Sequence, residues 1–431
     1  MKKYSYNSLS KDELKTLCQR PKMDFRSIFG QVEPIIQKVK QEGDTGINHF
    51  TQKFDGVAPD PLVINPAEQE VTINEDIKEA IDTAFENIYR FHKAQLPKPL
   101  EVETMPGVQC KRVARPIERV GLYVPGGTAI LPSTLMMLGI PAMLAGCSTI
   151  VVATPPKSDG SVADEILYIA QKIGATHLLK AGGAQAVAGM ALGTESVPKV
   201  DKILGPGNQY VTAAKMMLQN SEAQIAIDMP AGPSEVLVIA DETANPAYVA
   251  ADLLSQAEHG EDSQVVLVAT PDFDLNQCRR EIDEQLTELP RQKVTQKAIN
   301  KSFILTVDTL DKGFAFSNQY APEHLIVQCK NPEQYEDQIM NAGSVFLGPW
   351  TPESAGDYAS GTNHTLPTYG YARMFSGVSV DSFLKQITMQ QITSVGLQNV
   401  GPTIEKLAEL EELEAHKNAV SIRLKDINKN T

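Results

Sequence analysis

The sequence is poor in several features that would each mark a class of protein. Cys18, Cys110, Cys147, Cys278 and Cys329 are the only five cysteines in 431 residues, and no two form a Cys-x-x-Cys pair. Neither a disulfide framework nor a thiolate zinc ribbon is encoded, and a reducing compartment is the expectation. Positive charge is short: 39 lysines and arginines against 53 acids leave a net charge of -14, a field that repels nucleic acid and anionic membrane surfaces. No apolar stretch follows Lys2-Lys3, so no secretory signal is read there and the cytoplasm is the expected location. The uncharged stretch between Arg119 and Lys157 is interrupted by Pro125, Gly126, Gly127, Pro132 and Pro141. It therefore reads as a buried strand-loop-helix-strand and not as a bilayer span. The dinucleotide fingerprint Gly-x-Gly-x-x-Gly is also missing.

What is present is an alternation of short β-rich runs with helical stretches. Gly121–Val124, Thr149–Ala153, Leu178–Lys180 and Lys202–Leu204 read as strands, separated by helices over Ser133–Ala145 and Ala163–Ile173 and one after Gly182-Gly183, with another following over Gln209–Leu218. A second series begins at Glu235–Ile239 and continues through a helix over Ala247–Glu258, strand Val265–Ala269, helix Leu275–Leu286, strand Leu325–Gln328, helix Gln334–Asn341 and strand Ser344–Leu347. Such repetition predicts an α/β protein with two doubly wound, mostly parallel sheet lobes, Rossmann-like without the glycine fingerprint, plus small helical terminal segments. The expected division is a helical segment over 1–22 packing with the C-terminal part, one lobe from 23–119 and 235–361, a second lobe over 120–234, and a helical appendage over 362–431.

Gln256 and His259 lie three apart at the end of a helix that begins at Pro246 and should stop at Gly260. They share a face and can reach one point. Taken alone, a histidine there is more commonly a dipole partner than a ligand. Asp357 lies in a glycine- and serine-rich loop after a strand, where spacing alone favours a plain turn aspartate over a site residue. His416 ends an acidic helical run that could equally be a solvated face. Together the four offer the mixed nitrogen and oxygen donors that zinc accepts. Glu323-His324 sets a carboxylate beside an imidazole just before a strand, a pair suited to proton transfer near neutrality. The glycine loops after the strands of the 120–234 lobe either cradle a pyrophosphate or are only tight turns.

On these residues the chain resembles the histidinol dehydrogenase family. The resemblance is carried by Val120–Gly127, Asp228–Glu235, Ser255–Gly260, Tyr320–Leu325, Ser354–His364 and Ala415–Val420, in order over nearly the whole chain. It implies a zinc-dependent, NAD-linked enzyme that oxidises L-histidinol to L-histidine through a bound aldehyde in two hydride transfers. By that resemblance Gln256, His259, Asp357 and His416 hold one zinc per subunit, and Glu323 and His324 move protons. Tyr123, Gln185 and Asn208 contact NAD, and Ser234, His324, Asp357 and Glu411 join the zinc ligands around the substrate. It also implies a homodimer in which the C-terminal segment brings His416 and Glu411 to the partner's site, with no nucleic-acid or membrane partner. Glu411 and His416 would be separated by about 140° on a continuous helix, so a break in that helix is expected; Glu412 would share the face better. Rival readings are a thiol-dependent aldehyde dehydrogenase using Cys147 or Cys110, a zinc hydrolase, and a two-lobed binding protein without catalysis.

Overall fold

Short runs rich in Val, Ile and Leu must be covered on both faces, and here they form two separate sheets. The computed structural model describes residues 1–20, 25–126, 130–229 and 232–429. Gly127 of the first β-α loop, Pro230-Ala231 of the 228–235 run and residues 21–22 of the N-terminal segment lie outside the described residues. The chain divides into two compact units, Met1–Gln95 with Glu118–Phe383, and Leu96–Ile117 with Leu384–Thr431.

The larger unit holds both six-stranded sheets. In one, the spatial order is Lys2–Ser5, Phe303–Thr306, Gln264–Ala269, Glu235–Ala240, His324–Gln328, Ser344–Leu347, with every neighbouring pair parallel. The central strands alternate sides: Val236, Val238 and Ile326 join one buried cluster with Val249 and Leu253, while Leu237, Ile239, Leu325 and Val327 join another with Phe314, Phe316 and Tyr320. That two-sided burial is why the run Glu235–Ala240 reads as continuous apolar sequence instead of alternating. The helix Pro246–Ala257 carries the chain back from the carboxyl end of one strand to the amino end of the next, so its last turn lies level with the amino ends of the strands.

The second sheet runs Val63–Ile64, His177–Leu179, Thr149–Ala153, Arg119–Tyr123, Lys202–Leu204, Ala226–Ile227. Its pairs are parallel except for the antiparallel edge strand Val63–Ile64. The strand order reverses between Arg119–Tyr123 and Lys202–Leu204, which opens a crevice at their carboxyl ends.

The structure corrects the expected division in four places. The helical run Phe25–Asp55, interrupted at Gly43, buries Val32, Ile36, Val39 and Ile47 in one cluster with Val187, Ala191, Val211 and Ala214, and Val63–Ile64 pairs with His177–Leu179. This early segment therefore belongs with the 120–234 sheet and not with the 235–361 lobe. The N-terminal segment is not purely helical, because Lys2–Ser5 forms an edge strand along Phe303–Thr306. After 361 the chain is not purely helical either: Leu384–Ile392 pairs antiparallel with Val108–Pro116, which in turn pairs with Leu100–Met105, forming a three-stranded sheet in the smaller unit. The expected helix over Gln334–Asn341 is a 3-10 stretch, Pro332–Gln338, its start set by Pro332. Among the described residues no helix is long and apolar enough to cross a membrane.

Candidate active site

Glu323 and His324 stand at the amino end of the strand His324–Gln328, beside the start of Glu235–Ala240. The backbone of Glu235 holds both: its N–H donates to Glu323 Oε2 at 2.8 Å and its carbonyl lies 3.2 Å from His324 Nδ1. Glu235 is itself fixed by Arg20, which donates from Nε and Nη2 to the two carboxylate oxygens at 2.8 Å each. The same guanidinium stacks 3.6 Å above the Tyr320 ring. Ser234 immediately precedes the strand, and its carbonyl accepts from Gln264 N–H at 3.1 Å.

Gln256 arrives from the last turn of Pro246–Ala257, where it is buried. Its Nε2 lies 3.3 Å from both Glu323 Oε2 and His324 Nδ1. With the Nδ1 proton directed at the Glu235 carbonyl, the amide N–H bonds to Glu323, and Gln256 Oε1 is left buried without a partner among the described residues. The helix ends earlier than Gly260, at Ala257 with Glu258 as its cap. His259 lies just beyond, exposed, and its N–H donates to the Gln256 carbonyl at 3.3 Å. This tightened turn keeps the two residues on one side.

The third element is the short helix Glu353–Tyr358. Asp357 Oδ1 lies 3.4 Å from His324 Nε2, a contact without hydrogen-bond geometry. One ligand atom each of His259, Glu353 and Asp357 fall within 4.8 Å of one another. His364 turns its Nδ1 to the Asp357 carbonyl at 2.8 Å, which orients that aspartate from behind.

Burial and mutual charge shift every one of these groups. Burial pushes the Glu323 carboxyl up to about 7, against the pull of His324. Burial alone would lower His324, but Glu323, Glu353 and Asp357 reverse it and raise the imidazole to about 10. Burial also acts to raise Asp357, and the histidines His324, His364 and His259 overcome it and hold the carboxyl below its ordinary range. Glu353 is driven well above that range, first by burial and then by Asp357 and Glu323, with His324 pulling the other way. Desolvation of the ring, one nitrogen of which lies within this group although the residue as a whole is exposed, lowers His259 in spite of Asp357.

The other candidates lie on the second sheet or in the smaller unit. Tyr123 closes the strand Arg119–Tyr123, and its Oη accepts from Gly183 N–H at 3.0 Å, at the start of the helix Gly183–Leu192. Gln185 sits in the first turn of that helix with a buried Oε1 that has no partner among the described residues. Asn208 caps the helix Gln209–Gln219 through its Oδ1. These three converge on carboxyl ends of strands in the sheet whose order reverses beside Tyr123. The loop ahead of Asn208 is pinned by a buried ion pair: Lys215 Nζ reaches Asp228 Oδ1 at 2.6 Å and Gly205 O at 2.9 Å, and Asp228 Oδ2 accepts from Gly205 N–H at 2.7 Å. A Cβ on Gly205 would meet the Tyr123 carbonyl at 2.1 Å, so glycine is required where strand and loop meet. In the smaller unit, the expected helix through His416 is broken: Ser394–Leu410 ends at Glu411, Glu412 takes a positive φ of 57°, and His416 lies in Glu414–Lys429.

Residues 18–424 match the model of the histidinol dehydrogenase family. The chain belongs to the histidinol dehydrogenase family. It is 59% identical over 429 residues to the chloroplastic histidinol dehydrogenase of Arabidopsis thaliana, covering 99% of this chain and 92% of that one. To the histidinol dehydrogenase of Aliivibrio fischeri it is 51% identical over 438 residues, covering 100% and 99%. The crystal structure of histidinol dehydrogenase from Elizabethkingia anophelis superposes with a TM-score of 0.94 at 51% identity, over 99% of both chains. A lactaldehyde dehydrogenase structure shares the fold at a TM-score of 0.51 and 11% identity, covering 89% of each chain.

Within this histidinol dehydrogenase framework, the structure gathers Gln256, His259, Glu323, His324 and Asp357, together with Glu353, which the motif reading did not single out. Its only sequence signal was a carboxylate on the face of Asp357, four residues earlier. Cys147, a candidate of the thiol reading, is half-buried and pushed up to about 12 by burial, far from the thiolate that nucleophilic attack needs.

Proposed function

We propose that this chain oxidises L-histidinol to L-histidine, consuming water and two NAD, with Zn2+ as its resident metal. The observation that supports this most is the convergence of Glu323 and His324 with the His259, Glu353 and Asp357 group at one sheet edge. The orphaned lone pairs of Gln256 and Glu353 and the mixed nitrogen and oxygen donors fit a zinc ion. Gln256, His259, Asp357 and His416 of the partner subunit would hold it. Tyr123, Gln185 and Asn208, at the reversal of strand order and two helix N-termini, fit NAD.

When bound, zinc supplies a Lewis-acid anchor for the substrate's amino and imidazole nitrogens, and NAD supplies the hydride acceptor. The chain's own residues do the proton work. Because the Glu235 carbonyl fixes Nδ1, His324 presents Nε2, which has no hydrogen-bond partner among the described residues. Glu323, Glu353 and Asp357 raise the proton affinity of this imidazole, and in its neutral form that atom takes the hydroxyl proton in the first oxidation. Glu323 is held through Oε2 by Glu235 N–H, and its raised carboxyl is poised near neutrality to take a proton from water in the second oxidation. His324 then assists again. Ser234 and Glu411 of the partner subunit would line the substrate. One site performing both steps keeps a reactive amino aldehyde out of solution.

The protein is read as a cytoplasmic homodimer, in keeping with five unpaired cysteines and with apolar side chains exposed on the smaller unit, Leu407, Leu410 and Ile422 among them. A metal-replete assay with L-histidinol and NAD should yield two equivalents of NADH for each histidine formed. One equivalent, with aldehyde released, would sink the four-electron reading.

A further inference from the structure

Lys180 follows the strand His177–Leu179, and its N–H donates to the Leu62 carbonyl at 3.0 Å. The residue is only 7% exposed. Lysines this far buried are ordinarily paired, yet the Lys180 ammonium forms no hydrogen bond or ion pair among the described residues. Burial lowers its proton affinity, opposed by Asp60 from beyond ion-pair distance. Lys180 lines a cavity of about 440 Å³, and a buried stem leaves this cavity as the outlet for the charged end. Lys157 reaches the same cavity from the loop after Thr149–Ala153. That loop is closed by Lys157 N–H on the Ser161 carbonyl at 2.8 Å and Gly160 N–H on the Lys157 carbonyl at 2.9 Å. The helix Asp164–Lys172 begins on the same wall, and its N-cap, Ala163, offers no side chain to the first-turn N–H groups. Water filling the cavity can solvate Lys180, so the lysine by itself demands no ligand. What favours an anion is that two ammonium groups and an uncapped helix start face one concave space. Ile64 and Leu167 add an apolar wall, and Asp164 adds a carboxylate.

We propose that this cavity binds a phosphate monoester. The phosphoryl dianion sits on Lys180, Lys157 and the first-turn N–H groups, while a hydroxyl on the body of the ester donates to Asp164. None of Tyr123, Gln185 and Asn208 lines the cavity, so it is separate from the positions proposed for NAD.

The test uses the full-length protein with NAD held at saturation, which occupies any phosphate site in the cofactor crevice. Inorganic phosphate and ribose 5-phosphate are titrated by calorimetry at constant ionic strength into wild type, Lys180→Met, Lys157→Met and Asp164→Asn. Both probes should bind wild type, ribose 5-phosphate the more tightly. Lys180→Met should weaken both by about 10–100-fold, the worth of a charged hydrogen bond. Lys157→Met should weaken both by a smaller factor, because Lys157 is exposed; for the same reason it tests the site even where Lys180→Met disturbs folding. Asp164→Asn should erase the advantage of ribose 5-phosphate over inorganic phosphate. The rate of NADH formation from L-histidinol should be unchanged in both lysine variants. No binding to the NAD-saturated wild type, or wild-type affinity in either lysine variant, would overturn the site. Equal affinity of the two probes for wild type would overturn the assignment to an ester.

Discussion

Glu323 and His324 share one anchor, the backbone of Glu235, and the difference in what that anchor does to each separates their roles. For His324 it fixes a ring nitrogen and leaves Nε2 facing Asp357. For Glu323 it holds one carboxylate oxygen while burial keeps the group near neutrality. Under the proposed function, the imidazole serves both oxidations and the carboxylate only the hydration of the aldehyde. Assayed separately with L-histidinol and with the aldehyde, His324→Asn should slow both by about 10²–10⁴-fold. Glu323→Gln should slow aldehyde oxidation by a similar factor and spare the alcohol step in a single-turnover measurement. Near-normal turnover of both variants with zinc bound would remove these residues from the chemistry.

At the scale of elements, the N-terminal segment reaches the site through one side chain. Arg20 and Glu235 form an ion pair at 2.8 Å with side chains 5% and 1% exposed, and Arg20 also donates to the carbonyls of Cys18 and Tyr320. Removing only the cation strands a buried charge, which costs about 3–5 kcal/mol. Arg20→Met should lose about that much in urea denaturation, and Glu235→Gln in the same background should recover part of it. An Arg20→Met protein as stable as wild type would mean the pair contributes nothing. No sequence pattern signals this contact, because residues 215 positions apart meet only once the sheet is assembled. Other elements were legible for definite reasons. Pro246, the capping Asn245 and the apolar face of Pro246–Ala257 are local signals, so the helix that delivers Gln256 and the turn that delivers His259 could be read directly. Leu384, Ile387, Met389 and Ile392 have a spacing closer to a helix than to alternation, yet they lie in a strand because Val108–Pro116 pairs with it. Glu353 was illegible as a site residue because a glutamate opening a helix after a proline is what an ordinary N-terminal dipole partner looks like. Only tertiary burial distinguishes it.

For the whole molecule, Glu323 and His324 belong to the larger compact unit and Glu411 and His416 to the smaller one. The smaller unit is thinly covered by its own residues. The helix Glu414–Lys429 contains no buried residue, and Leu410, beside the break at Glu411, is 79% exposed. A surface of this kind is what a subunit interface covers. If it covers a second copy whose site receives His416, inactivation should be complementary between chains. His259→Ala and His416→Ala homodimers would each be inactive, and mixing them after reversible dissociation should restore activity. In a heterodimer both lesions fall in one site and the other is intact, so random pairing gives about one quarter of wild-type activity. Were each site built from a single chain, every heterodimer site would keep one lesion and mixing would restore nothing. Subunit exchange followed by an NADH assay separates these outcomes, because only sharing lets two inactive chains form a complete site.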